Sequence, residues 1–178
     1  MIESLKALYR AGFVKRAHAI DTIHVHTIAE HCYGMGCVVV YLCKMNDAED
    51  CLGVLLQAVL YHDAPESHTG DVPAHIKKNS AAIEHALADI EDMWRLGVDL
   101  KMPELTEWEA ALLDVADRID LCMLCAHEHM MGNNSAQLRT VFARVQDYAM
   151  SANGKLGPTE KLKGLDELLE FVDEAWHE

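Results

Sequence analysis

The sequence predicts an all-α fold, a bundle of about seven helices in a single domain spanning residues 1–178. Three observations carry that expectation. Apolar residues recur at the three- and four-residue spacing of a helix almost throughout, and no run alternates with the two-residue period of a half-buried strand. Punctuation at Gly12, Asn46-Asp47, Thr69-Gly70-Asp71, Pro73, Gly97, Pro103, Gly132-Asn133-Asn134 and Gly154 through Pro158 cuts the pattern into helix-sized pieces. The 178 residues suit one domain with a proper core, and no repeat, low-complexity tract or linker divides them.

The pieces are Ile2 to Phe13, Ile28 to Lys44, Asp50 to His62, Ser80 to Leu96, Thr106 to Met131, Ser135 to Ser151 and Thr159 to His177. Thr106 with Glu109 reads as a capping box, in which each residue satisfies a free donor of the other's backbone, and Gly132 reads as a helix stop. Cys51 to Tyr61 is apolar on nearly every face, which predicts a buried helix.

Apolar residues at 51% and charged residues at 25% are the balance of a globular protein. No apolar run reaches the length of a membrane span, and the amphipathic start Met-Ile-Glu-Ser-Leu-Lys lacks the apolar core of a signal peptide, so a cytoplasmic location without membrane contact is expected. The six cysteines fall within apolar helical patterns and read as reduced thiols. A net charge of −14 repels polyanions and argues against a nucleic-acid-binding surface, though a phosphorylated small molecule remains compatible if a metal and a few placed cations offset the field locally.

The chemistry-bearing residues fall in three places. The apolar run Leu-Leu-Gln-Ala-Val-Leu-Tyr ends in His62-Asp63, an imidazole beside a carboxylate whose burial a divalent cation would offset. On its own such a dipeptide is common at exposed helix ends. His31, in Thr27-Ile-Ala-Glu-His31, heads an apolar stripe that continues through Met35, Val38 and Leu42, so its ring should point inward. Asp117, in Leu113-Asp-Val-Ala-Asp117-Arg-Ile-Asp-Leu121, lies in a stripe with Leu113, Leu121 and Leu124 and needs a partner; Asp114 and Asp120 read as solvated. Two imidazoles and two carboxylates suit Mn, Fe, Co, Ni, Zn or Mg rather than a thiolate-seeking metal. Four ligands leave an octahedral ion two positions, for water and a phosphate oxygen, the arrangement of metal-assisted hydrolysis.

Other motifs carry less. Cys122-x-x-Cys125 with His127 and His129 lies inside an apolar helix with no loop to wrap an ion, so core packing is expected instead of structural zinc. His24 and His26 read as partly exposed loop histidines. His-Glu-His at 127 to 129 lacks the His-Glu-x-x-His spacing of a metalloprotease, and no phosphate-binding glycine loop is present.

The run His62-Asp-Ala-Pro-Glu-Ser-His-Thr-Gly-Asp-Val-Pro-Ala-His-Ile-Lys77, with Arg16 fifteen residues ahead of His31, the pair Glu30-His31, Ala116-Asp117 and Gly-Asn-Asn at 132 to 134, resembles YfbR-type HD-domain 5′-nucleotidases and the small phage HD-domain dATP triphosphohydrolases. The resemblance spans about residues 10 to 150. It implies an HD-domain helical bundle with His31, His62, Asp63 and Asp117 as ligands of one divalent ion, Glu66 and Asp71 as carboxylates that orient the attacking water or move its proton, and Arg16 and Lys77 as grips on phosphate oxygens. It implies a small-molecule nucleotide substrate cleaved between the 5′-oxygen and the α-phosphorus, and a homo-oligomer, a dimer or a larger ring. The expected activity is a dNTP triphosphohydrolase, with dATP foremost; the alternatives are a 5′-monophosphatase and a nucleotide-binding scaffold with a vestigial site. The sequence departs from its relatives where Ala17 replaces a common tryptophan and His75 replaces a proline, both at the nucleoside end, so looser or shifted base selection is expected.

Overall fold

Helical periodicity becomes helix nearly everywhere in the computed structural model, which describes residues 2–157 and 161–177, and for 74, 75, 78 and 155 the backbone alone. The elements are α1 (Ile2–Ala11), α2 (Ile28–Met45), a 3-10 turn (Glu49–Cys51) leading into α3 (Leu52–Tyr61), α4 (Glu66–Thr69), α5 (Ala74–Asn79), α6 (Ala81–Gly97), α7 (Glu107–Met130), α8 (Ala136–Lys155) and α9 (Leu165–His177). Among the described residues, seven of these helices have ten residues or more, the number the sequence predicts, and the sole β-type pairing is an isolated bridge between Lys15 and Thr27. None of the described helices is long and apolar enough to cross a membrane.

The capping box at Thr106 and Glu109 starts α7, and Gly132, at φ +97°, ends it. A second box joins Thr27 and Glu30 at the start of α2, placing His31 in the first turn of that helix. Two local expectations need correction. The last helix begins at Leu165, because Gly164 takes φ +83° and presses against Tyr41 and Met45, where a Cβ would come within 2.9 Å of Met45; Thr159 lies outside the described residues. The predicted pieces place no helix between His62 and Ser80, whereas the short helices α4 and α5 lie there.

Helix α7 is the axis of the bundle and packs against α2, α8 and α9. Its buried stripe is Leu112, Val115, Ala116, Ile119, Cys122 and Cys125, which meets Met35, Val39 and Leu42 of α2, Leu138 and Phe142 of α8, and Val172 and Trp176 of α9. The cysteines of α7 are core, as expected; burial pushes the Cys122 and Cys125 thiols up to about 12. Helix α3 is less buried than its composition implies. Its buried residues are Leu55, Ala58 and Val59, Leu52 and Leu56 pack partly buried against the core, and Leu60 is 56% exposed because α3 lies at the edge of the bundle.

The loop between α1 and α2 is held at both ends. The Arg16 N–H donates to the His26 carbonyl at 2.8 Å and that of Ile28 to Val14 at 2.9 Å. At the loop's outer turn, the fully buried Glu128 carboxylate accepts the N–H groups of Ile23 (2.6 Å) and His24 (2.7 Å) and the Asn133 side-chain amide (2.9 Å). Asn133 also donates to the Asp21 carbonyl, so the Gly-Asn-Asn corner clasps the loop that carries Arg16. Replacing Glu128 with alanine orphans these donors and should cost about 1.5–3 kcal/mol or more, read as a lower urea midpoint at unchanged slope.

Candidate metal centre

His31 and His62 arrive from the first turn of α2 and the end of α3, and each has one ring nitrogen committed. His31 Nδ1 lies 2.7 Å from Asp120 Oδ2, and His62 Nδ1 lies 2.7 Å from the Val59 carbonyl. A carbonyl only accepts, so His62 carries its proton on Nδ1, and the Asp120 carboxylate imposes the same tautomer on His31. With a proton on each Nδ1, the Nε2 atoms, 3.2 Å apart, are the ones left to present lone pairs to an ion; with no ion bound, burial opposes a charge on His62 but Asp63 outweighs it and raises that imidazole. Asp63 Oδ2 lies 3.6 Å from His31 Nε2 and 3.3 Å from His62 Nε2, and Asp117 Oδ1 lies 3.4 Å from His31 Nε2. Ligand atoms of His31, His62 and Asp63 lie within 4.8 Å of one another, and Asp117 adjoins this group through its approach to His31.

With both imidazoles neutral, such a cluster repels itself unless a cation offsets it. Ligand atoms bound at about 2.1 Å stand about 3.0 Å apart at right angles and about 3.4 Å apart in a tetrahedron; the separations here run from 3.2 to 3.6 Å, close to the tetrahedral value. Asp63 Oδ2 is buried and lacks a hydrogen-bond partner among the described residues, although Arg16 Nη1 lies 2.8 Å away as an ion pair. The donor set thus fits a divalent ion. A second candidate group, His26 with His31 Nδ1 and Asp120, shares an imidazole with the first, but its His31–Asp120 contact already has hydrogen-bond length.

Around this cluster lies a ring of charge. Arg16 pairs with Asp63 and, at 3.6 Å, with Asp117; burial opposes its charge, but Asp63, Asp117 and Glu66 outweigh that and hold the guanidinium firmly protonated. Burial would raise Asp63, yet His62 and Arg16 keep it well below the usual carboxylate range. Glu66 is 5% exposed, with Oε1 3.7 Å from Lys77 Nζ and Oε2 without a partner among the described residues; burial, then the Asp63 and Asp71 carboxylates, push it up to about 8. Asp71 is turned elsewhere: its Oδ2 accepts the Ala17 N–H at 2.9 Å and faces His18 at 3.4 Å. It thereby holds Ala17 at φ +56° and shapes the backbone beside Arg16.

The cluster opens into a cleft of about 740 Å³, in the range of small-molecule sites. Arg16, Ala17, His31, His62, Asp63, Glu66, Asp71, Lys77 and Asp117 all line it, so the sequence-predicted residues with described side chains come together; the side chain of His75 lies outside the described residues. The opposite wall was not foreseen. Helices α7 and α8 supply Leu121, Leu124, Val141 and Val145 as an apolar strip, with Gln137, Thr140, Arg118, Arg144 and Tyr148 around it. No motif marks them; their i, i+4 spacing on α8 was the available signal.

Three site expectations are corrected. Asp120 is not solvated: it is 7% exposed and bonds His31, because it follows Asp117 by one helical turn and so reaches the same helix, α2. Asp114 does stay half-exposed, tied to Arg118. His26 is not a loose loop residue, since its side chain is 12% exposed and faces Asp120 Oδ2 at 3.7 Å, whereas His24, 44% exposed, is. Asp117 lies beside the core stripe and not within it, 40% exposed toward the cleft with Leu121 and Leu124.

An all-α bundle whose paired His and Asp residues meet beneath a small-molecule-sized cleft is the arrangement of an HD-domain phosphohydrolase. The family model of the 5′-deoxynucleotidase YfbR-like proteins matches residues 3–152, and the chain belongs to that family of metal-dependent phosphohydrolases. No curated protein sequence matches it significantly. Among solved structures it is similar to the HD phosphohydrolase DatZ of cyanophage S-2L, a protein bound to dA and one catalytic zinc ion, at TM-score 0.75 and 17% identity over 97% of this chain and 95% of that one. An HD-domain phosphohydrolase of Listeria innocua aligns at TM-score 0.63 and 15% identity, covering 97% and 98% of the two chains. The PH0347 protein of Pyrococcus horikoshii gives 0.63 and 16%, covering 99% of each.

The raised Glu66 makes stability depend on pH in a defined direction. Its folded value, about 8, exceeds the ordinary 4.5, so the stability it contributes is complete below pH 4.5 and is lost as pH rises through 8. Between pH 5 and 8.5 chelator-treated wild type should lose roughly 1–4 kcal/mol relative to Glu66→Gln, in paired denaturant titrations.

Proposed function

We propose that this protein hydrolyses deoxynucleotides at the bond between the 5′-oxygen and the α-phosphorus, with a dNTP, dATP foremost, as substrate and deoxynucleoside and triphosphate as products. The observation that carries the reaction class is the pair of Nε2 lone pairs 3.2 Å apart, flanked by Asp63 and Asp117 and opening into the cleft. Zinc and deoxyadenosine in DatZ support zinc as the ion, ahead of Mn, Co, Mg, Ni and Fe, and support adenine as a base. A homo-oligomer in the cytoplasm belongs to the same reading; exposed Tyr9, Phe13 and Tyr33 on α1, the turn that follows it and α2 are compatible with assembly.

His31, His62, Asp63 and Asp117 hold the ion, which when bound supplies Lewis acidity toward phosphate and lowers the pKa of water. Arg16, fixed between the two carboxylates, faces the charge that grows on the α-phosphate as water attacks and the 5′-oxygen leaves. Glu66, poised to hold a proton near neutral pH, moves the proton between the attacking water and the leaving oxygen. Lys77 sits beside Glu66 and offers its ammonium to phosphate oxygens. Asp71 acts through the Ala17 backbone, and Ala17 itself offers the base no stacking face. Glu66→Gln should retain metal by elemental analysis and lose about 10²–10⁴-fold in kcat.

The triphosphate is favoured over the monophosphate by cations beyond those the α-phosphate needs. Arg144 has no acidic partner among the described residues, and Arg118 lies 5.3 Å over the Tyr148 ring on the same wall. The family description, a 5′-deoxynucleotidase, favours the second reading, release of phosphate from a deoxynucleoside monophosphate. Deoxynucleotides at each phosphorylation level, assayed with Zn, Mn, Co and Mg, separate the two: triphosphate released from dATP is expected, and phosphate from dAMP with dATP intact would overturn it. Loss of one charge-assisted contact is worth about 1.5–3 kcal/mol, so Arg144→Ala should lower kcat/KM for dATP at least tenfold and leave that for dAMP unchanged.

A further inference from the structure

We propose that Asp120 is a positioning residue for the metal ligand His31, and that Gly34 is the socket in α2 that admits it. The proposal rests on the assignment of His31 as a ligand. Asp117 and Asp120 are one helical turn apart on α7, as His31 and Gly34 are on α2, so the two helices cross with ligand beside ligand and carboxylate beside glycine. One turn of α7 thus supplies a ligand of its own and the partner of a ligand on the neighbouring helix.

The fit at Gly34 is specific. A Cβ built there would lie 1.8 Å from Asp120 Oδ1 and 2.9 Å from its Cγ, but 3.7 Å from its Cβ. Glycine weakens a helix interior, and here its absent side chain is the space occupied by a carboxylate that is 7% exposed. From that space Oδ2 accepts the His31 Nδ1 proton at 2.7 Å, with His26 Nε2 facing the same oxygen at 3.7 Å. The contact fixes the tautomer and the plane of the imidazole and increases its basicity, all of which strengthen Nε2 as a ligand.

Competition of Co(II) between the protein and a chromophoric chelator tests this, with cooperative melting as the check on folding. Loss of an outer carboxylate of this kind lowers metal affinity about 10–100-fold, and that loss is expected for Asp120→Ala and for Gly34→Ala, with a changed Co(II) visible spectrum in each. Gly34→Ala in the Asp120→Ala background should cost nothing further, since the nearest remaining atom to the added methyl is then a Cβ at 3.7 Å. Asp120→Asn, which keeps the shape and an acceptor, should bind Co(II) between wild type and Asp120→Ala and serves should the alanine variant not fold. Wild-type affinity and spectrum in Asp120→Asn, or an equal cost of Gly34→Ala in both backgrounds, overturns the proposal. His31→Ala separates the two levels: if it keeps wild-type Co(II) affinity, the ligand assignment fails; if it loses the ion while Asp120→Ala keeps it, the positioning role fails.

Discussion

Two imidazole nitrogens 3.2 Å apart, with two carboxylate oxygens beside them, form an arrangement that a folded chain holds together only around positive charge. Much of the bundle is arranged around this constraint. Helix α2 brings His31 in its first turn because Thr27 and Glu30 cap the helix there, α3 ends at His62, and α7 passes alongside with Asp117. The proton of each imidazole is held on the far nitrogen by Asp120 or by the Val59 carbonyl. Arg16 contributes the nearest fixed positive charge, carried in by a loop that Glu128, Asn133 and Asp71 tie down.

Charge has a local and a global part here. The chain carries −14 overall, yet the cleft gathers Arg16, Lys77, Arg118 and Arg144. Three of these are paired with Asp63, Glu66 and Asp114, so their fields are spent largely within the protein, and Arg144 alone among them lacks an acidic partner among the described residues. A polyanion as long as a nucleic acid would meet the acidic exterior, whereas a small phosphate ester meets the cations and an ion at close range.

The helices were legible because amphipathic periodicity and turn residues are local signals, and the capping box at Thr106 and the stop at Gly132 are visible in a few residues. The meeting of His31, His62-Asp63 and Asp117 at one cleft was legible for a different reason: these residues stand at spacings shared with a known family. Asp120 was misread because its burial depends on Gly34 of another helix, a contact across 86 positions that no local pattern encodes. His26 was misread for the same reason, since the loop holding it is folded by Glu128 and Asn133 from the other end of α7. The α8 wall of the cleft carries no motif, because an arginine, a glutamine and a tyrosine on a helix look like an ordinary solvated face until α7 and α8 are packed together.

The most direct measurement of the central claim is anomalous scattering from a crystal grown with Zn(II), collected on both sides of the zinc edge. One strong peak is predicted within about 2.0–2.2 Å of His31 Nε2, His62 Nε2, Asp63 and Asp117. A peak between His26, His31 Nδ1 and Asp120, or no peak at the His31–His62 pair in zinc-saturated protein, would contradict the account.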